Sequence, residues 1–436
     1  MSSDWTEVRL EEITSILGDG LHGTPKYDEQ GPYYFINGNN LTNGRIEINE
    51  KTKRSSEVEY QKYKKNINNR TILVSINGTL GNVALYNDEK VILGKSACYF
   101  NVRDGVDKHF VQYVLTSGIF QNYIHDLATG STIKNASLKL MRNFSFKLPA
   151  LNIQQKISST LKSLDDGIAL LRDTNTTLEA IAQALFKSWF VDFDPVRAKE
   201  QGREPDGMDS TTAALFPNSF DESELGLVPE GWQVLPLGDA VESVGGGTPN
   251  TKETDFWEPG EHAWTTPKDL SGLQSPVLLR TERLLSAKGL EKVSSGLLPT
   301  GTLLLSSRAP IGYLAIAQIP LAINQGYIAM LPGSQLPPLY MLFWCRQNMQ
   351  IIKSRANGST FMEISKKAFR PIPALVPPEP VLDAFMNAAG PLFGRLIENE
   401  KQAQTLATIR DTLLPRLISG QLRLPEAETM LEKVDA

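Results

Sequence analysis

Polar residues beside glycine-containing turns are the side chains of this sequence best suited to recognising another molecule. In chain order they are Asn37, Asn39, Asn40, Asn77 and Lys95, then Lys268, Arg308, Asn324 and Gln325. Asn and Gln can form paired hydrogen bonds with an adenine edge, and Arg with guanine, so this chemistry suits base recognition in a DNA groove. The alternative for each turn Asn is a hydrogen bond to its own backbone, which is the commoner use of this residue type.

Residues arranged for catalysis or metal binding are not evident in the sequence. There is no Walker-type glycine-rich loop, no Cys-X-X-Cys pair, and the four histidines are scattered. Cys98 and Cys345 stand far apart in apolar runs, which is typical of buried reduced thiols. The sequence therefore predicts a binding protein without a metal or cofactor of its own.

The composition is that of an ordinary globular protein of more than one domain. Hydrophobic residues make up 41% and charged residues 21% of the 436, and a chain of this length exceeds one ordinary core. No apolar run approaches the roughly 20 residues of a membrane span, and the N-terminus lacks the pattern of a signal peptide. We therefore expect a cytoplasmic protein.

The charge distribution leaves room for local contacts with nucleic acid. A formal net charge of −5 argues mildly against bulk attraction to DNA. The segment 51–65 is locally basic, with Lys51, Lys53, Arg54 and three further lysines around two tyrosines. It could be a nucleic-acid face or, equally, a solvated surface segment.

An internal repeat predicts that the polar candidates lie at equivalent points of two similar lobes. Gly-Thr-Pro occurs at 23–25 and again at 247–249, and Gly-Ser-Thr at 130–132 and 358–360. The apolar runs near 71 and 302, each ending in a Gly-containing turn, are typical of strands. We therefore predict two α/β (α+β) lobes, over 1–150 and 231–376.

A long amphipathic stretch, 152–189, follows the first lobe. Its apolar residues alternate in steps of four and three, the spacing of a coiled-coil helix. They are Ile157, Leu161, Leu164, Ile168, Leu171, Leu178, Leu185 and Trp189, with Asn175 and Ala182 filling the remaining positions. Asn152 with Gln155 predicts the start of the helix, and Asp194 before Pro195 predicts its end. At about 1.5 Å per residue the helix would be roughly 55 Å long, so we interpret it as a spacer covering 151–197.

A second copy of this helix supplies the expected partner. The sequence 177–190 matches 405–418, with Leu178 over Leu406 and Trp189 over Leu417. Pairing would bury both apolar stripes, so we predict an antiparallel coiled coil between the first helix and a second one at 377–424. In this alignment Asn175 matches Ala403, and no partner amide is evident. The segment 198–230 is rich in Gly, Pro and acids and is interpreted as a linker, and 425–436 as a tail.

Two lobes held apart by paired helices could recognise two separated features of one extended ligand, such as DNA. The candidate DNA-contacting residues, at turns and at the repeated loops, are Thr24, Lys26, Asn37, Asn39, Asn40, Asn77, Lys95, Ser131, Thr132, Lys134, Thr248, Lys268, Arg308, Asn324, Gln325, Ser359, Thr360 and Lys366. Ile76-Asn77 matches Ser307-Arg308, and Lys95-Ser96 matches Asn324-Gln325. These weaker matches would suit lobes that recognise different sequences, or they could be neutral differences.

The sequence resembles the specificity subunits of type I DNA restriction-modification systems. The likeness covers 5–424 and is carried by the paired Trp-led lobe starts and Gly-Thr-Pro loops, by the Pro-rich segments that lead into the long helices, and most specifically by 184–199 and 411–422. It implies two target-recognition domains, each recognising one half of a split asymmetric DNA sequence, with the coiled coil as a ruler.

The resemblance also implies partner subunits that supply the chemistry. Two modification subunits would bind S-adenosylmethionine and methylate adenine, and motor-nuclease subunits would use ATP and Mg. Trp189, Phe190, Phe193 and Arg416 would then contact a modification subunit. The alternative is a helix end folded onto its own lobe. Two rival functions are a protein-binding scaffold and a self-contained DNA methyltransferase or nuclease.

Overall fold

The computed structural model describes residues 5–42, 44–130, 134–358 and 362–423. Ser131, Thr132, Ser359 and Thr360, which were predicted to contact DNA, lie outside the described residues, as does the predicted tail. The chain divides into two compact units. Unit 1 combines 1–167 with 405–436, and unit 2 is 168–404. No helix among the described residues is long and apolar enough to cross a membrane.

Unit 1 contains a mixed lobe built from short strands and helices. Its strands are β1 Thr6–Arg9, β2 Thr14–Asp19, β3 Tyr33–Ile36, β4 Leu41–Thr42, β5 Arg45–Ile46, β6 Arg54–Ser55, β7 Thr71–Ser75, β8 Val83–Leu85, β9 Val91–Leu93, β10 Ala97–Val102 and β11 Ser145–Leu148. Its helices before the long one are α1 Glu57–Tyr63, α2 Lys108–Thr116, α3 Gly118–Leu127 and α4 Leu138–Asn143. The strands form a central sheet β2-β10-β7-β8, a smaller sheet β6-β3-β9 and the pairs β1-β11 and β4-β5.

Unit 2 repeats this plan. Its strands are β12 Phe220–Ser223, β13 Gly226–Pro229, β14 Gln233–Pro236, β15 Ser243–Val244, β16 His262–Thr265, β17 Val277–Leu278, β18 Arg283–Leu285, β19 Leu303–Ser306, β20 Leu314–Ala317, β21 Ala322–Ile323, β22 Tyr327–Met330 and β23 Pro373–Val376. The central sheet is β15-β22-β19-β20-β17 and the smaller one is β18-β16-β21. β16 runs parallel to β21 as β3 does to β9. The shared topology confirms the predicted internal repeat.

The remaining helices include the two long ones. They are α5 Leu151–Phe190, α6 Asp194–Glu200, α7 Ser210–Ala214, α8 Leu237–Ala240, α9 Pro267–Leu270, α10 Ala287–Leu290, α11 Pro338–Gln347, α12 Met349–Ser354, α13 Lys366–Phe369 and α14 Glu379–Ile418. Thus α5 and α14 are the two predicted long helices. α5 begins at Leu151, where the predicted spacer begins, so Asn152 already lies inside the helix. The predicted end was wrong: α5 ends at Phe190, and Pro195 lies in the first turn of α6, where its missing backbone N–H is tolerated.

Within unit 1 the two long helices pack together and against the lobe. Ile157, Leu161 and Leu164 share one apolar core with Leu413 and Leu417. A half-buried polar group joins three elements, because Asp165 accepts hydrogen bonds from Arg410 at 2.7 Å and from the Tyr113 hydroxyl at 2.6 Å. Burial raises the pKa of Tyr113, and the carboxylate of Asp165 adds to this shift.

Within unit 2 the pairing contains a buried amide pair. Asn399 Nδ2 donates to Asn175 Oδ1 at 2.9 Å, and Asn175 Nδ2 donates to the Leu396 carbonyl oxygen at 3.3 Å. Asn175 is 3% exposed and Asn399 is fully buried. Asn175 therefore has the partner amide that the repeat alignment did not reveal. In unit 1 Asp165 meets Arg410 and Gly167 lies against Leu406. In unit 2 Asn175 meets Asn399 and Phe186 meets Phe385. The helices therefore run antiparallel within each unit, as predicted.

The predicted linker was wrong, because 198–230 is folded as part of unit 2. It contains α7 and the hairpin β12-β13. Phe216 and Val228 are buried in the same core as Trp232 and Phe186. A few apolar residues thus anchor a segment whose Gly, Pro and acidic content is otherwise typical of a linker.

Candidate nucleic-acid interface

Four loops of unit 1 meet where strands of its two sheets end. The Gly94 N–H donates to Ile36 O at 2.8 Å, and the Ile76 N–H donates to Ser96 O at 2.9 Å. The Ala136 N–H then donates to Ile76 O at 2.9 Å. These backbone bonds bring the loops after β3, β7 and β9, and the loop before α4, to one place, which we call loop face 1.

Unit 2 has the same backbone scaffold. The Asn324 N–H donates to Thr265 O at 3.0 Å, the Ser307 N–H to Gly326 O at 2.8 Å, and the Ile364 N–H to Ser307 O at 3.0 Å. Each of these bonds corresponds to one in loop face 1, because β16, β19 and β21 occupy the positions in unit 2 that β3, β7 and β9 occupy in unit 1. We call this second group of loops loop face 2.

These bonds define which loop positions are structurally equivalent. The resulting pairs are Asn39 with Lys268, Asn77 with Arg308, Lys95 with Gln325, and Asn135 with Glu363. The predicted match of Lys95-Ser96 with Asn324-Gln325 was therefore wrong by one residue, because Gly94 and Asn324 occupy the same hydrogen-bonded position. The match of Asn77 with Arg308 is confirmed, since Asn77 forms a backbone bridge to the loop before α4 and Arg308 forms one to the loop before α13.

The side chains of Asn37 and Asn40 serve the loop itself. The Asn37 N–H donates to Asn40 Oδ1 at 3.0 Å, and the Asn40 side chain donates to Glu47 O. Ser96 Oγ donates to Asn37 Oδ1 at 3.0 Å. In unit 2 the Thr266 N–H donates to Asp269 Oδ2 at 2.7 Å, and the Gly326 N–H to Asn324 Oδ1 at 2.8 Å. The side chains of Asn37, Asn40 and Asn324 thus form hydrogen bonds within their own loops. This is the alternative to base contact that was noted from the sequence.

Other candidate residues of unit 1 are exposed to solvent, on loop face 1 or on the Gly-Thr-Pro loop. Thr24, Lys26, Asn39 and Lys95 are exposed. Asn77 is half-buried, and its amide donates to Asn135 Oδ1 at 3.4 Å. Lys134, also exposed, donates to the His125 carbonyl oxygen.

In unit 2, on loop face 2 and beside it, several candidates contact one another or nearby acids. Thr248 Oγ1 donates to Gln325 Oε1 at 2.6 Å, and both residues are exposed. Arg308 is half-buried and lies 3.7 Å from Glu363 Oε2. Lys268 forms an exposed ion pair with Glu282, and this hydrogen bond raises the pKa of Lys268. Lys366 is exposed beside Gly245.

The predicted partner-contacting aromatics lie in the core of unit 2. Trp189 and Phe190 are each 6% exposed, and they pack against Phe216, Trp232 and Phe385. Phe193 is half-buried. Their side chains are thus folded onto unit 2, as in the alternative noted from the sequence, so the partner contact assigned to Trp189 and Phe190 was wrong for these side chains. Arg416, in unit 1, is half-exposed.

Sequence reasoning missed two residues of the loop faces, Asn135 and Glu363. They form backbone bridges with Asn77 and Arg308, respectively. Their position three residues after the Thr of each Gly-Ser-Thr motif was the available signal. No group of three or more His, Cys, Asp or Glu residues that could hold a metal ion occurs in the described part of the chain. The loop faces offer hydrogen-bond donors, acceptors and cations, which is chemistry for binding.

The repeated lobes, the paired helices and the polar loop faces define the class. A family model described as "Type I restriction modification DNA specificity domain" matches residues 2–180 and 229–381, so the chain belongs to this family. It is accordingly a type I restriction-modification specificity subunit, a DNA-recognition component without catalytic activity of its own.

Individual relatives agree with this class. The chain is 26% identical to the type I restriction enzyme MjaIX specificity subunit of Methanocaldococcus jannaschii, over 97% of this chain and 94% of that protein. It is 27% identical to the HindI specificity subunit of Haemophilus influenzae, over 67% of this chain and 72% of that protein. Its fold is similar to the S subunit of the type I system from M. genitalium, with a TM-score of 0.54, 20% identity and coverage of 95% and 96% of the two chains.

Proposed function

We propose that the chain recognises a bipartite, asymmetric DNA sequence, with loop face 1 contacting one half and loop face 2 the other. The observation that supports this most directly is the difference between equivalent positions on one backbone scaffold. Asn77 is replaced by Arg308 and Lys95 by Gln325, so the two faces offer different donors and acceptors to base edges. Lys and Arg contacts to phosphates would add affinity that falls with salt.

In this proposal α5 and α14 set the gap between the two halves of the target. The chain would dock two modification subunits that methylate adenine with S-adenosylmethionine, and restriction subunits whose motor and nuclease activities use ATP and Mg. The half-exposed Arg416 and the exposed surface of the helix ends would contribute to such docking.

Selection from a random duplex library tests the proposal. The full chain, co-purified with its modification subunit, is expected to enrich two short fixed sequences separated by a fixed number of unconstrained base pairs. Enrichment of one continuous sequence, or of none, would contradict it. Methyl transfer by the chain alone, without the modification subunit, would instead indicate a self-contained enzyme.

Helix length offers a second test of the same idea. Removing seven residues from α5 and seven from the facing part of α14 keeps the apolar stripes in register, because a heptad is two turns. The selected gap is then expected to shorten while the two half-sequences stay the same. An unchanged gap would contradict the spacer role.

A further inference from the structure

A cation rests on a pair of aromatic rings beside loop face 2. The Arg283 guanidinium carbon lies 3.4 Å from the ring centroid of Trp257 and 5.4 Å from that of Trp264. The two indoles meet edge to face at 5.1 Å. Trp264 is 3% exposed and forms the floor, whereas Arg283 is exposed.

Unit 1 has a corresponding group at the same place in the fold. Lys53 Nζ lies 6.0 Å from the Tyr27 ring centroid, and Tyr27 packs on Phe35 at 6.3 Å. The Phe35 N–H donates to Lys53 O at 2.8 Å, just as Arg283 is the ladder partner of Trp264. Lys53, directly before β6, and Arg283, in β18, are therefore equivalent residues, each opposite the strand that leads to the loop face.

Both cations adjoin the Gly-Thr-Pro loops. In unit 2 the Trp264 indole N–H donates to Gly247 O at 3.2 Å, and that of Trp257 donates to Asn250 O at 3.1 Å. In unit 1 Ser55 Oγ donates to Lys26 O at 2.7 Å, which fixes this loop to the strand that follows Lys53. The same loops are bonded to the strands that lead to the loop faces, because the Leu21 N–H donates to Leu93 O at 2.7 Å and the Gly247 N–H to Ile323 O at 3.0 Å. Each cation thus lies beside a loop that adjoins the loop face of its unit.

Neither cation is neutralised within the described residues, where no carboxylate forms an ion pair with Arg283 or Lys53. Lys288, which follows Arg283 in unit 2, is by contrast neutralised by an ion pair with Asp255 at 2.8 Å. An aromatic face orients a cation without removing its charge, so both groups stay available to an external anion.

We propose that Arg283 and Lys53 each bind a phosphate of the DNA backbone beside the half-site recognised by their unit. This inference rests on the proposed function. A phosphate is favoured over a base because Arg and Lys share their charge but differ in hydrogen-bond geometry. The positions proposed to contact bases carry different donors and acceptors in the two units. At the position of Lys53 and Arg283, the positive charge is the property that both units share.

The test measures how DNA affinity depends on salt. The full chain with its modification subunit is titrated with the selected bipartite duplex and with a random-sequence duplex of equal length. R283Q and K53Q are each expected to weaken binding to both duplexes by the same factor, roughly threefold to tenfold at moderate salt. The slope of log affinity against log salt should become shallower by about 0.9 for each phosphate that the protein no longer neutralises.

K288Q is the matched control, because it removes the same charge from a lysine that is already paired with Asp255. It should leave the slope unchanged, and so should R283K, which keeps the charge at the proposed phosphate site. Thermal unfolding of each variant checks that it is folded. Should R283Q fail to fold, K53Q decides the outcome alone, since Lys53 is exposed.

Two results would overturn the assignment: a slope in K53Q and folded R283Q equal to that of the unsubstituted chain, or a weakening confined to the bipartite duplex. The second result would make these residues base contacts. Failure of the proposed function looks different, because the unsubstituted chain would then bind both duplexes equally.

Discussion

The two loop faces have equivalent backbone hydrogen bonds, but the side chains that their loops carry are different. Ser307 and Asn324 use their main-chain groups as Ile76 and Gly94 do. Arg308, by contrast, stands where unit 1 has Asn77. Exposed loop side chains can change at little cost to folding, because the loops are held by main-chain atoms that every residue type carries. One scaffold can thus support two different recognition surfaces.

The units also differ in how their long helices pack. Unit 2 buries Phe186, Trp189 and Phe190 in an aromatic core, whereas the repeat counterparts in unit 1 are Leu414, Leu417 and Ile418. In unit 2 the polar contact between helices is a buried amide pair, and in unit 1 it is the half-exposed pair of Asp165 and Arg410. The helix pairing is therefore expected to respond differently to substitution in the two units.

The largest effect is expected from the aromatic core of unit 2. Phe186 is 1% exposed and contacts the rings of Phe190 and Tyr340, so F186A should lower the free energy of unfolding by about 3 to 5 kcal/mol. L414A, at the half-buried counterpart in unit 1, should cost about 1 to 2 kcal/mol. Urea unfolding followed by circular dichroism measures both. I181A on the exposed side of α5 is the control, and equal destabilisation by F186A and L414A would contradict the comparison.

The second-largest effect on stability is expected from the polar contacts between the two long helices. N175A leaves the buried Asn399 amide without its partner and should cost about 1 to 3 kcal/mol. D165A should cost about 1 to 2 kcal/mol at low salt and less at high salt, because its pair with Arg410 is screened by solvent and ions. Unfolding of both variants at two salt concentrations separates these cases. A salt-dependent destabilisation in N175A would show that the difference between the pairings is misassigned.

Replacing one side chain of loop face 2 by its counterpart from loop face 1 tests the role of the loop faces in recognition. R308N gives loop face 2 the residue that loop face 1 has at the equivalent position. It should weaken binding to the half-site of unit 2 by about 1 to 3 kcal/mol and leave the other half-site unchanged. Repeating the duplex selection with the variant measures this. An equal weakening on every sequence would identify Arg308 as a phosphate contact.

The smallest effect is expected at Lys268. Its ion pair with Glu282 is exposed on both sides, so K268Q should change the free energy of unfolding by less than about 0.5 kcal/mol. K95Q, which gives loop face 1 the residue found at Gln325, should lower DNA affinity more than K268Q does. Binding and unfolding titrations compare the two variants. A larger drop in affinity in K268Q would mean that its ion pair opens to contact DNA.

Much of the fold could be predicted because its signals are local and periodic. The seam of α5 is buried at Ile157, Leu161, Leu164 and Ile168 and half-buried at Leu171, as the four-three spacing predicts. The internal repeat predicted two similar lobes, and it located most of the loop positions that form the two faces. Single-residue roles within those loops were less predictable, because Asn37 can cap a turn as readily as it can contact a base.

What the sequence by itself determined is the repeat, the two helices and their shared apolar stripe, since each depends on spacing along the chain. Tertiary structure alone decided that Asn175 meets Asn399 rather than its repeat counterpart, because antiparallel pairing brings together residues that alignment keeps apart. It also decided that 198–230 is folded, because burial of Phe216 and Val228 outweighs a linker-like composition. Lys53 and Arg283 became comparable only when strand register had placed each one beside an aromatic pair.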